Sequence, residues 1–277
     1  MMSALDYEAE YNNRRRVPEH PEINARWAKA SAAYRAEAAL EADQSYGSGA
    51  RHRYDLYRPR GGAKDAPLVV YIHGGYWQRG DRKDYAFIAR ALNAAGLAVA
   101  LPTYSLCPAV TIMDIVAELR RCLATLWERT RQRPVVVGHS AGGHLAAAML
   151  ATDWSKVGGA PNDLVRAGYS LSGVFDTAPL IGTSLNEALK LDVSSAREAS
   201  PLYWPPPPKG RPFVAAVGAD ESQEFIRQSL EITAAWSRAG VKAECVLVPS
   251  ANHFTIVDEL ARPDSAMLAR VVALARA

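Results

Sequence analysis

The sequence is poor in cysteine. It has three in 277 residues, Cys107, Cys122 and Cys245, an odd number with no CxxC pair. That argues against a disulfide framework or a thiolate metal site. Cys122 falls at helical spacing with Leu119 and Leu126, and Cys245 lies in a strand-like run, so both read as small core residues. Long apolar runs are missing as well. No stretch has the length of a membrane span, and the opening MMSALDYEAEYNNRRR carries charge where a signal peptide needs an apolar region. The expectation is a soluble protein of a reducing cytoplasm. An excess of one charge is also lacking: 32 basic against 29 acidic side chains leave +3, too little to argue for nucleic acid or a membrane surface as partner. The one basic cluster, Arg14-Arg15-Arg16, precedes Val17-Pro18-Glu19 and reads as a solvated loop. No internal repeat is visible.

Hydrophobic residues make up 49% of the chain, enough for the core of a single α/β domain over residues 1–277. Apolar groups at Ile23, Trp27, Ala30, Tyr34 and Ala38 predict a helix over residues 22–41, which either packs on the body or serves as a lid. A strand is expected in RHRYDLYRP (Arg51 to Pro59), then a turn at Gly61-Gly62. From there strands alternate with helices. The strands are PLVVYI, LAVALP, PVVVGHS, GYSLSG, FVAAVG and AECVLVP; the helices cover about 83–95, 112–130, 142–151, 223–238 and 265–276. Continuous apolar strands separated by amphipathic helices indicate a mostly parallel sheet covered on both faces. Residues 176–208, which end in Tyr203-Trp204 and four prolines, interrupt the rhythm. They read as a small cap over the carboxyl edge of the sheet, where such folds keep their sites.

The strongest motif is G-H-S-A-G, Gly138 to Gly142, set between a strand and a helix. A serine on such a sharp turn is pushed out of the sheet, and small residues two before and two after it give the turn room. Ser140 is therefore the candidate nucleophile, and it needs a general base. His20 and His52 read as surface residues. His73 reads as a loop-fixing side chain, and His139 and His144, beside the serine in a tight turn, should point away from its hydroxyl. No further ligand completes a metal set around them. His253, in PSANHF after the last strand, remains as the base. The acid should follow an earlier strand. GADESQEF offers Asp220, favoured here, and Glu221, its alternative. Asp176 ranks third and would otherwise cap a helix. Glu224 reads as a surface or capping residue.

HGGYW at His73 to Trp77, GHSAGG at Gly138 to Gly143, DESQEFIRQS at Asp220 to Ser229 and NHF at Asn252 to Phe254 together resemble the arylformamidase (kynurenine formamidase) branch of the α/β-hydrolases. YNNRR, PTYSLCP and the SPL before the proline run extend the resemblance over most of the chain. It implies an α/β-hydrolase fold and hydrolysis of aryl formamides such as N-formylkynurenine, releasing formate without a cofactor. A small-acyl carboxylesterase would use the same parts. The resemblance also implies an oxyanion hole made by backbone amides of Gly75 and Tyr76, with Gly74 as a third loop donor, and by that of Ala141. The family pattern of a single Asp before S-P-E-F departs here to Asp220-Glu221 before S-Q-E-F, so alignment on S-x-E-F points to Glu221 and alignment on the strand-end glycine to Asp220. Trp77, Trp204 and Phe254 are candidates for an aromatic substrate pocket, or for plain packing. A small-molecule substrate is the expected partner, and a homodimer is compatible with this reading.

Overall fold

A computed structural model describes residues 5–61 and 65–277; Gly62 of the expected Gly61-Gly62 turn lies outside them. Eight strands form one sheet in the order β1-β2-β4-β3-β5-β6-β7-β8. They are β1 (Ala39–Ser45), β2 (Arg53–Arg58), β3 (Leu68–Ile72), β4 (Ala98–Pro102), β5 (Val135–His139), β6 (Ala167–Leu171), β7 (Pro212–Gly218) and β8 (Lys242–Val248). The pairs β1–β2 and β2–β4 are antiparallel, and every pair from β4 through β8 is parallel. This is the α/β-hydrolase arrangement expected from the sequence.

The apolar strands read as continuous because both faces of the sheet are covered. In β3, Leu68, Val70 and Ile72 join Leu119, Leu123 and Leu145 on one face, while Val69 and Tyr71 join Ile88, Leu92 and Val271 on the other. The first face carries α5 (Ile112–Thr130), α6 (Ala141–Leu150) and α9 (Gln223–Arg238). The second carries α3 (His20–Glu37), α4 (Ala86–Ala94), α10 (Ile256–Ala261) and α11 (Ala266–Arg276). A capping box, Thr111 with Asp114, starts α5 at the residue the periodicity marks.

Three features differ from expectation. The N-terminal helix stops at Glu37, and ALEADQS is a largely exposed edge strand, β1, with no apolar alternation to reveal it. Its pairing with β2 is reinforced by the Arg58–Glu41 ion pair and by Asp55, which accepts from Asp43 N at 2.9 Å. Two short helices, α1 (Tyr7–Tyr11) and α2 (Asn13–Arg16), precede α3, so Arg14, Arg15 and Arg16 are exposed on a helix rather than in a loop. His52 is buried, not on the surface, and lies 3.0 Å from Glu118. Residues 176–208 fold into short helical turns that include α7 (Asn186–Leu189) and α8 (Val193–Glu198). They are tied to the body where His144 Nε2–H donates to Ala199 O at 2.6 Å.

Candidate active site

Ser140 sits between β5 and α6 with φ 57° and ψ −119°, a conformation side chains rarely adopt. The turn is held by Ser140 N, which donates to Leu171 O at 2.8 Å. Its tightness explains the two flanking glycines. A Cβ on Gly138 would lie 2.0 Å from Gly142 O, and one on Gly142 would lie 2.0 Å from Ile72 O.

His253 reaches this serine from the loop after β8. Its Nε2 is 3.0 Å from Ser140 Oγ and its Nδ1 is 2.7 Å from Glu221 Oε2. A carboxylate only accepts, so Nδ1 carries the proton, and Nε2 is left as the acceptor for the serine hydroxyl. The other oxygen of Glu221, Oε1, accepts from Gly218 N at 2.7 Å and from Ser172 Oγ. The histidine loop is fixed by Asn252, whose Oδ1 accepts from Phe254 N and Thr255 N, both at 2.9 Å.

Here the favoured acid changes. Asp220 is exposed, and His253 is bonded to Glu221, which is buried. The reason is local. β7 ends at Gly218 in a tight turn closed by Glu221 N to Gly218 O, which sends the Asp220 side chain outward. Only its backbone serves the site, donating to Ala251 O at 3.1 Å and so joining the acid loop to the histidine loop. Asp176 is bonded elsewhere: Oδ1 accepts from Ala178 N at 3.0 Å and Oδ2 from Tyr203 OH at 3.1 Å. Glu224 is not a surface residue. It is buried, pairs with Arg227 at 2.7 Å and accepts from Tyr11 OH at 2.8 Å, and these partners hold its carboxyl below the usual range against its burial.

The other histidines lie around these three residues. His139 Nε2–H donates to His253 O at 2.7 Å, so it braces the His253 loop, and among the described residues its ring makes no bond to the serine hydroxyl. Burial, and after it the neighbouring His253, hold it neutral, well below the ordinary histidine range. His73 bonds Gly74 O at 2.8 Å, stacks on Tyr104 with ring centres 4.4 Å apart, and is pushed down to about 4 by burial. Burial also lowers His144 to about 4.

The HGGYW loop lies against the serine. A Cβ on Gly74 would come within 2.7 Å of His139 O and 3.0 Å of Ser140 Cβ. Gly75, Tyr76 and Trp77 all take positive φ, 114°, 51° and 56°. Among the described residues, the amides of Gly74, Gly75, Tyr76 and Ala141 donate to no other backbone or side-chain group. The Tyr76 hydroxyl straps the loop to the N-terminal segment, accepting from Asn13 Nδ2 at 2.9 Å and donating to Tyr11 O. Gln78 Nε2 ties it to the 176–208 segment through Leu185 O at 2.9 Å.

A cavity of about 660 Å³ opens over Ser140 and His253, large enough for a drug-sized ligand. Phe254 lines it, with Trp27 and Tyr85 as further aromatic walls. Trp77 and Trp204 do not. Trp77 is fully buried and edge-on to His144 with ring centres 4.9 Å apart, so it braces the loop from within the core. Trp77→Ala should cost about 3–5 kcal/mol of stability, read as a lower urea midpoint at unchanged slope. A shift under about 1 kcal/mol would remove this bracing role. Trp204 lines a separate groove with Met113 and Arg120 and donates to Glu198 O at 2.7 Å. The residues that sequence reading missed come from the N-terminal segment (Asn12, Asn13, Arg14, Asn24), from Arg79 and from Ser184 and Leu185 of the 176–208 segment. Helix α3 buries Ile23, Trp27, Ser31 and Tyr34 against the body and forms a wall of the cavity. Of these residues, only Asn12, Asn13 and Arg14 had carried a signal, in YNNRR.

The family model described as BD-FAE matches residues 54–180. The chain is 33% identical to a kynurenine formamidase of Salmo salar over 226 residues, 79% of this chain and 76% of that protein. It is 32% identical to a kynurenine formamidase of Danio rerio, with the same coverage of both chains. Among solved structures, a Silicibacter sp. protein described as a candidate thioesterase superposes with a TM-score of 0.87 at 30% identity, covering 99% of this chain and 100% of that one.

Proposed function

The chain belongs to the kynurenine formamidase family, and on that premise we propose that it is a serine hydrolase cleaving aryl formamides such as N-formylkynurenine to the aryl amine and formate. The observation that carries the reading is the single imidazole bonded at one nitrogen to Ser140 and at the other to a buried carboxylate, Glu221. In this reading His253 Nε2 takes the Ser140 proton as Oγ attacks the formyl carbon. The tetrahedral oxyanion is received by the undonated amides of Gly75, Tyr76 and Ala141, with Gly74 beside them, at the N-terminus of α6. One such donor is worth about 3–4 kcal/mol in the transition state.

The C–N bond then breaks as His253 gives its proton to the departing aniline nitrogen, leaving a formyl ester on Ser140. Water attacks that ester, its proton passing through His253 back to the serine oxygen, and formate leaves. An anilide nitrogen is a poor leaving group without this proton. The orientation of the imidazole by Glu221, and the bracing of its loop by His139, therefore act on the step that limits amides most. Such an activity belongs to the breakdown of tryptophan, in the cytoplasm.

A small-acyl carboxylesterase is the second reading, favoured by the structural neighbour described as a candidate thioesterase. Steady-state assays with N-formylkynurenine and p-nitrophenyl acetate separate the two. The formamide should be turned over with kcat/KM at least equal to that of the ester. An ester preference of about a hundredfold or more, equivalent to about 2.7 kcal/mol of transition-state discrimination, would transfer the assignment to the esterase.

A further inference from the structure

The cavity over Ser140 carries two arginines that serve no visible internal purpose. Arg79 follows the HGGYW loop and is half-buried; Arg14 projects from α2 and is exposed. Other arginines nearby are committed: Arg26 pairs with Asp258 at 2.7 Å, Arg51 with Asp81 at 3.7 Å, and Arg82 with Asp43 and Asp55. No carboxylate among the described residues lies within ion-pair distance of Arg79 or Arg14. Asp84 and Glu187 also line the cavity, yet neither pairs with these arginines.

Two like charges with no ion-pair partner among the described residues are costly to hold together, and the fold holds them. Asn13 bonds Tyr76 OH at 2.9 Å, which docks α2 on the loop and brings Arg14 to the same wall as Arg79. Arg79 itself folds back over the loop, since a Cβ on Gly75 would lie 2.4 Å from Arg79 O and 2.8 Å from Arg79 Cγ. Partial burial first, and the charge of Arg14 second, hold the Arg79 guanidinium below its usual range. A bound anion would relieve both effects.

We infer that Arg79, with Arg14 beside it, forms a subsite that receives a carboxylate carried on the leaving group of the substrate. A guanidinium matches a carboxylate through two parallel N–H donors, and a charge-assisted pair in a partly enclosed cavity survives competition from water better than one on an open surface. The subsite selects anionic over neutral substrates. It deepens the formamidase reading and rests on it for the scissile bond, but not for the charge preference.

The test measures a ratio: kcat/KM for a carboxylated substrate divided by that for its neutral counterpart. The pairs are 2-formamidobenzoate with formanilide, and 3-acetoxybenzoate with phenyl acetate. The unmodified enzyme should favour the carboxylated member. Arg79→Gln should lower the ratio about tenfold or more. Arg14→Gln, an exposed change that spares the loop, should lower it in the same direction by a smaller factor. An unchanged ratio in both variants would overturn the inference. So would equal losses on both members of a pair, since Arg79 would then only brace the loop. Should neither formamide be cleaved while the ester pair still shows the arginine-dependent ratio, the formamidase reading fails and the carboxylate subsite stands.

Discussion

Ser140→Ala should lower kcat by about a millionfold while leaving the fold intact, the loss expected when a nucleophile acting as one unit with its base is removed. The substitution isolates the chemistry because alanine keeps the Cβ that the elbow already accommodates at φ 57°. Nothing in the turn has to move: the backbone bond from Ser140 N to Leu171 O is retained, and Gly138 and Gly142 still face each other. Among the described residues the only lost bond is the 3.0 Å contact to His253 Nε2. Stability should therefore stay within about 1 kcal/mol by urea unfolding. Turnover that falls by less than about a hundredfold would mean that another group attacks the substrate. A fluorophosphonate probe supplies a second readout, since it should phosphonylate the parent enzyme at Ser140 with loss of fluoride and leave the variant unmodified.

The fold was legible in the sequence wherever burial forces an apolar pattern, and hidden wherever pairing does the work instead. The five strands from PLVVYI to FVAAVG, and helices α5 and α9, appear where continuous apolar runs and helical periodicity place them, and AECVLVP forms the half-exposed edge strand β8. β1 has no such pattern, because an edge strand with a burial sequence of exposed and half-buried positions is held by backbone pairing with β2 and by ion pairs. The site divides in the same way. Ser140 and His253 announce themselves through a strand–turn–helix motif and the order of the chain. The choice between two adjacent acids depends on which one is central in the turn closed by Glu221 N to Gly218 O, which is Asp220, and which one ends it, a matter of backbone geometry that composition does not encode. Trp77 misleads because it is adjacent to a motif in sequence yet turns into the core, and Trp204 because it lies in an insert of which other residues, Ser184, Leu185 and Glu187, reach the cavity; which side chains of α2, α3 and that insert meet there is decided only in the folded chain.

Glu221→Gln should cost about four orders of magnitude in kcat, whereas Asp220→Asn should change it about twofold at most. The geometry gives the reason for the first. Glu221 Oε1 accepts from Gly218 N at 2.7 Å, so a glutamine must keep its carbonyl oxygen there and turn its amide N–H₂ toward His253. A donor facing Nδ1 forces that nitrogen to become the acceptor, which moves the ring proton to Nε2. Nε2–H then faces Ser140 Oγ across the same 3.0 Å and cannot take its proton. The variant is thus isosteric and folded, with the wrong tautomer. Loss of the charged acceptor adds a stability cost of about 1.5–3 kcal/mol, checked by thermal unfolding. Asp220→Asn touches none of this, because that side chain is exposed and only its amide, which the substitution retains, bonds Ala251 O. The comparison is decided by kcat measured on both folded variants with one substrate. A large loss in Asp220→Asn beside a mild one in Glu221→Gln would return the acid to Asp220 and require the loop after β7 to rearrange during turnover.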